Sequence, residues 1–282
     1  MSRAGASTRT TAVNREAACR AWHAILALVI TASLIAQVVL LVDGGTDVNT
    51  ASSEGSVGLA VRFVRLLSYF TIQSNLLVLA LAVSLVLNPV RDGRGWRVLQ
   101  ADALLGIIVT GLVFGTVLAG QVQHHGVGTW VNAGFHYFAP AWALVGWLLF
   151  GPRPRLDGAT LGWLLVWPLL WIAYTFAHGS GTGWYPYPFL DAHTHGYGVA
   201  FRNTAAVVVL ALIIIGILRV LDRRLTATVP DDGPAGLPRA ARAHTAPSRP
   251  LSQRSAAERS RSAPGRTGHS GVSRTTSAGS LS

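Results

Sequence analysis

Six stretches of this chain are each long and apolar enough to cross a bilayer, and that feature leaves few folds open. A membrane-spanning helix needs about 20 mainly apolar residues. The runs lie at 21–42, 64–87, 102–120, 131–150, 161–177 and 200–221. They do not alternate in polarity as the strands of a membrane barrel do. The pattern predicts an all-α polytopic membrane protein, a six-helix transmembrane bundle over 19–224. Disordered cytoplasmic segments are expected on either side, at 1–18 and 225–282. The last segment is rich in Arg, Ser, Ala, Pro, Gly and Thr and has almost no large apolar groups with which to build a core.

Charge orients the stack. Cytoplasmic loops carry the excess of basic residues, and every basic residue here is Arg. Arg3, Arg9, Arg15 and Arg20 precede the first run. Arg91, Arg94 and Arg97 follow the second, Arg153 and Arg155 the fourth, and Arg223 and Arg224 the sixth. The alternate loops carry Asp43, Asp47, Glu54 and Asp191, with Arg62, Arg65 and Arg202 as exceptions at the mouths of spans. A multi-pass protein of the cell membrane with both termini in the cytoplasm is expected. The first run exceeds the apolar core of a secretory signal, so it reads as a retained helix. The net charge of +11 owes much to the tail. That tail has neither a folded basic face nor interleaved aromatics, which argues against nucleic acid and for anionic lipid headgroups as its neighbour. A single cysteine, Cys19, excludes an intrachain disulfide framework or a cysteine-based metal centre.

Within the bundle, Gly111 and Gly115 have the spacing of a close helix contact. Trp163, Trp167, Trp171, Tyr174 and His178 share one face of the fifth span, which Pro168 is expected to kink. The second span is the most polar. Arg65, Ser68, Thr71 and Asn75 fall on one face, with Gln73 beside them, and that face should point into the bundle rather than to lipid. In the fourth span His136 precedes Pro140 by four residues, so its carbonyl is expected to lose its helical partner. Counting inward from the outer ends, Thr71 and His136 both fall roughly 7–11 Å deep. A hydroxyl and an imidazole at matched depth suggest a nucleophile and its base. His178 and Tyr185 sit just above, where they and Arg65, Ser68, Gln73 and Asn75 are candidates to contact a substrate. Asn75, or a backbone donor freed near a kink, would face an oxyanion. No Asp or Glu is expected in the bundle to orient His136.

The segments YFTIQSNLL, HYFAPAW and GWYPYPFLD followed by HGYG resemble the signature of the bacterial Pr-six-Pr membrane proteins, across about residues 20–222. That resemblance implies the six-pass bundle. More remotely, the helix count with Thr71 and His136 is similar to the androgen-induced and androgen-dependent membrane proteins. These are multipass hydrolases of fatty acid esters of hydroxy fatty acids, and the similarity implies Thr/His catalysis on a lipid ester.

Three readings stay open. One is an intramembrane Thr71/His136 hydrolase of lipid esters with its site in the outer leaflet, needing no cofactor. Another is a non-enzymatic protein binding a lipid or small molecule in the same cavity. The third is a metal site at Asp191, His193 and His195 in the fifth outer loop, with His124, His125 and His178 on the same side.

Overall fold

The computed structural model describes residues 3–44, 47, 49, 56–153 and 155–226. The expected disorder at 225–282 lies almost wholly outside them. Among the described residues the chain is helical, without strands. Helix α1 runs Arg3–Val42, so the segment expected to be disordered before residue 19 is helical from Arg3 onward. The second span is split into α2 (Leu59–Ser68) and α3 (Phe70–Leu87). Helix α4 (Arg94–Val113) passes into a wide π turn at Phe114–Leu118. Helix α5 (Val127–Ala133) passes through a second π turn, Gly134–Phe138, into α6 (Ala139–Phe150). The fifth span is α7 (Gly158–Leu164) and α8 (Val166–Thr182), then come short α9 (Ala192–His195) and long α10 (Tyr197–Arg224). Among the described residues six helices are long and apolar enough to cross a membrane.

Helices α1, α3, α4 and α6 form the centre, with Leu26, Ile30, Val78, Ala82, Ala103, Ile107 and Ala139 buried between them. Trp22 and Trp142 stack at 3.9 Å, and each indole N–H donates to the other's backbone carbonyl, at 3.1 and 3.0 Å. Helices α8 and α10 are peripheral and expose Leu169, Leu170, Val209, Ile213 and Ile217. Gly111 packs on the Pro140 ring, where a Cβ would meet it at 2.9 Å, whereas Gly115 faces open space, so the expected two-glycine contact uses only its first member.

At one end of the bundle, arginines close the helix C-termini, where the last carbonyls lack partners. Arg20 donates to the carbonyls of Val86 and Leu87. Arg153 donates to those of Trp147 and Leu148, and Arg15 to that of Leu149. Asp222 accepts the amides of Arg155 and Leu156, tying α10 to the loop before α7.

Helix α4 begins eight residues earlier than the sequence suggested, which changes the status of Asp102. It is no longer the first residue of a span but lies roughly 12 Å inside the helix, buried, with Oδ1 unpartnered among the described residues. An acidic group does therefore enter the bundle. It sits three turns before Phe114, well away from His136.

Candidate active site

The site is built where three helices depart from regularity. The first departure is at Tyr69, whose extended backbone (φ −67°, ψ 128°) separates α2 from α3. Restarting a helix inside a span leaves donors and acceptors that must be satisfied locally. The Gln73 amide donates to the Leu67 carbonyl at 2.9 Å, and the Trp171 indole to the Ser68 carbonyl at 2.9 Å. Trp167 donates to the Gln73 side chain, and the Ser68 hydroxyl shares a 2.6 Å hydrogen bond with Tyr174. The aromatic stripe on α8 thus clamps the break in the second span. The other two departures are the π turns. Ala139 N reaches back five residues to Gly134 O, and this wider turn precedes Pro140, which has no N–H to continue a regular ladder. The two π turns face each other, so that Phe114 stacks on the His136 ring at 3.9 Å.

Thr71 and His136 meet. The Thr71 hydroxyl oxygen lies 3.3 Å from His136 Nε2, and both residues are almost fully buried, at 3% and 2% exposed. On its far side His136 Nδ1 lies 2.8 Å from Asn132 Oδ1. A carbonyl oxygen only accepts, so Nδ1 carries the proton and Nε2 presents its lone pair to Thr71. Asn132, one turn before His136 on the same face, takes the orienting role for which the sequence seemed to offer no residue. The spacing N-x-x-x-H was the signal that would have found it.

Tyr187 completes the cluster. Its hydroxyl accepts the Thr71 amide at 3.0 Å and lies 3.1 Å from the Thr71 hydroxyl. This amide, in the first turn of α3, lacks a backbone partner because the helix restarts there. Burial pushes the Tyr187 phenol up to about 12, against the smaller opposing effect of its bonds to Thr71. No spacing rule pointed to Tyr187; it arrives from the loop after α8.

Thr71 and Tyr187 open on an apolar cavity of about 730 Å³, counting its open mouth. Its walls come from α3, α4, α8, α10 and the loop before α9, including Phe70, Val109, Phe114, Trp171, Val207 and Ala211. Among the described residues no charged side chain lines it. The polar side chains on its walls are Thr71, Thr110, Thr204, Tyr187 and Trp171, whose indole N–H is already given to the Ser68 carbonyl.

The other sequence candidates stand elsewhere. Arg65 lies over the Trp184 ring at 5.1 Å, outside the cavity lining. Ser68 and Gln73 brace the helix break. Asn75, with no exposed surface, donates to the carbonyls of Thr71 (2.8 Å) and Phe135 (3.5 Å), so it holds the Thr71 backbone from behind. His178 stacks on Tyr174 and meets the edge of Trp184. Tyr185 presses against Gly179, where a Cβ would come within 2.2 Å of its ring. No three His, Cys, Asp or Glu side chains gather in a metal-holding group among the described residues. Asp191 instead caps α9. Its carboxylate accepts the His193 and Thr194 amides and the Thr194 hydroxyl. Burial acts upward on this carboxyl, but those hydrogen bonds outweigh it and hold it below the usual carboxylate range.

Compared with protein-family models, with curated proteins and with solved structures, the chain matches none.

Proposed function

We propose that the protein is a multi-pass membrane hydrolase of lipid esters, with Thr71 as nucleophile and His136 as general base. The observation that carries this reading is the Asn132–His136–Thr71 chain ending at an apolar cavity. A threonine hydroxyl is barely ionised at neutral pH and needs a base. In the proposed cycle the Thr71 proton passes to His136 Nε2 while Oγ1 bonds to the ester carbonyl carbon. Collapse of the tetrahedral intermediate breaks the ester bond, and the leaving alkoxide takes the proton from Nε2. Water then gives a proton to His136 Nε2 and adds its hydroxide to the acyl carbon. Collapse breaks the acyl–Oγ1 bond, Oγ1 takes the proton back from Nε2, and the carboxylic acid is released.

The wall chemistry favours an acyl chain in the cavity, because a charged headgroup would find no counter-ion there. The exposed apolar faces of α8 and α10 fit contact with lipid tails. The arginines near the chain's N-terminus, in the loops after α3 and α6 and at the end of α10 favour a cytoplasmic location for that end. Thr71 would then lie in the outer half of the bilayer, with anionic headgroups as neighbours of the C-terminal tail.

Purified protein in detergent micelles, given fluorogenic umbelliferyl esters of graded acyl length, tests this. Release of the fluorophore that disappears in both Thr71→Ala and His136→Ala is expected. Turnover that survives Thr71→Ala rejects it. The second reading, lipid binding without chemistry, rests on the Thr71–His136 separation. At 3.3 Å it lies at the long end for a hydrogen bond, and neither His136 nor Asn132 lines the cavity. It predicts saturable uptake of a fluorescent fatty acid with no turnover of any ester.

A further inference from the structure

Ester hydrolysis of this kind needs a hydrogen-bond donor for the negative charge that develops on the carbonyl oxygen. We propose that Tyr187 is that donor, a further catalytic residue held ready by the Thr71 amide at the start of α3. This rests on the Thr71/His136 reading and extends it.

Proton counting sets the direction of every bond in the cluster. The Thr71 amide donates to the Tyr187 oxygen, and because the single Thr71 hydroxyl proton is needed elsewhere, the phenol proton is the one that bridges to Thr71 Oγ1, 3.1 Å away. The Thr71 proton is directed to His136 Nε2, because His136 Nδ1–H is committed to Asn132. When Oγ1 bonds to an ester carbon, the new oxyanion lies one bond angle from Oγ1. The Tyr187 O–H then turns from the one oxygen to the other, and its own oxygen keeps its place on the Thr71 amide.

Tyr187 is also braced against moving. It is 5% exposed, stacks on Phe189 at 5.5 Å and meets the edge of Tyr69 at 5.6 Å. Pro186 and Pro188 flank it and restrict its backbone. With its ionisation raised by burial, the phenol keeps the proton it must donate. Asn75, the side-chain donor of the right type nearby, is spent on the carbonyls of Thr71 and Phe135.

The test is the rate at which a fluorophosphonate labels the purified full-length protein, since its phosphoryl oxygen occupies the position of the ester carbonyl oxygen. Tyr187→Phe is expected to label Thr71 about a hundredfold more slowly, the usual scale for loss of one such donor, while still melting cooperatively as a folded protein, at a temperature lowered by the Thr71 amide left without its acceptor. Labelling at the native rate or faster overturns the role of Tyr187. Labelling of Thr71→Ala at the native rate overturns the hydrolase reading itself, so the two failures are distinguishable. Should Tyr187→Phe not fold, fluorinated tyrosines at position 187 keep the ring and the hydroxyl while making the O–H more acidic. The labelling rate at pH 6 is then expected to rise with that acidity. A rate indifferent to it overturns the proposal.

Discussion

Replacing Asn132 by Leu isolates what the 2.8 Å bond to His136 Nδ1 contributes. Asn132 and His136 are both buried, at 8% and 2% exposed, so the freed Nδ1–H finds no solvent to replace the lost partner. Leaving a buried donor unsatisfied costs about 1–3 kcal/mol. The imidazole can recover part of that cost by moving its proton to Nε2, where Thr71 becomes the acceptor. That tautomer has no lone pair directed at Thr71 and cannot serve as base. If the whole cost falls on the catalytic tautomer, the rate drops about 5- to 150-fold, at 1.36 kcal/mol per factor of ten. Asn132→Asp retains an acceptor on Nδ1–H and is expected to keep most of the rate, although a carboxyl in this position costs stability. The assay is fluorophosphonate labelling of each variant, with melting temperatures to show that each folds. A folded Asn132→Leu protein that labels at the native rate refutes the tautomer argument.

Four further outcomes follow from the same geometry. Ala211→Trp is expected to fill the cavity and suppress turnover of long-chain umbelliferyl esters far more than of acetate. Equal loss on both would mean that the acyl chain lies elsewhere. Trp171→Phe removes the indole donor to the Ser68 carbonyl and should lower stability by about 1–3 kcal/mol, read as a fall in melting temperature. Gly179→Ala forces a methyl into the Tyr185 ring and should cost at least as much, because the clash is with a buried aromatic ring rather than a flexible chain end. The raised phenols of Tyr185 and Tyr187 set a pH dependence. A folded-state value above the unfolded one means that the native state holds the proton longer. Stability from the phenols is therefore complete below about pH 10. It should fall as pH climbs from there toward about 12, and less so in Tyr187→Phe when melting temperatures are followed across that range.

The six helices were legible because apolar length is a property of composition, and neighbouring residues report it without knowledge of the fold. Helix ends were less so. The amphipathic turns before Asp102 and the helical segment before residue 19 carry enough polar groups to look like loops. The break at Tyr69 was hidden for a different reason. It has no Pro or Gly, and what stabilises it is the indole of Trp171 and the amide of Gln73, groups that reach the freed carbonyls only once the helices pack. Thr71 and His136 were found by matching depths along two helices, a calculation that needs only the helical rise. Tyr187 was out of reach because its contact with α3 is set by the path of an irregular loop. The arginines that suggested an orientation also prove to have local work. Arg20 and Arg153 close helix ends, so their charge serves the fold as well as topology.

The most direct measurement is the site of covalent capture. Full-length protein treated with a fluorophosphonate, digested and mapped by mass spectrometry should carry the adduct on Thr71, and His136→Ala should lose it while still melting as a folded protein. An adduct on another hydroxyl, or one on Thr71 that forms equally well without the imidazole, contradicts the central claim that this base activates this threonine.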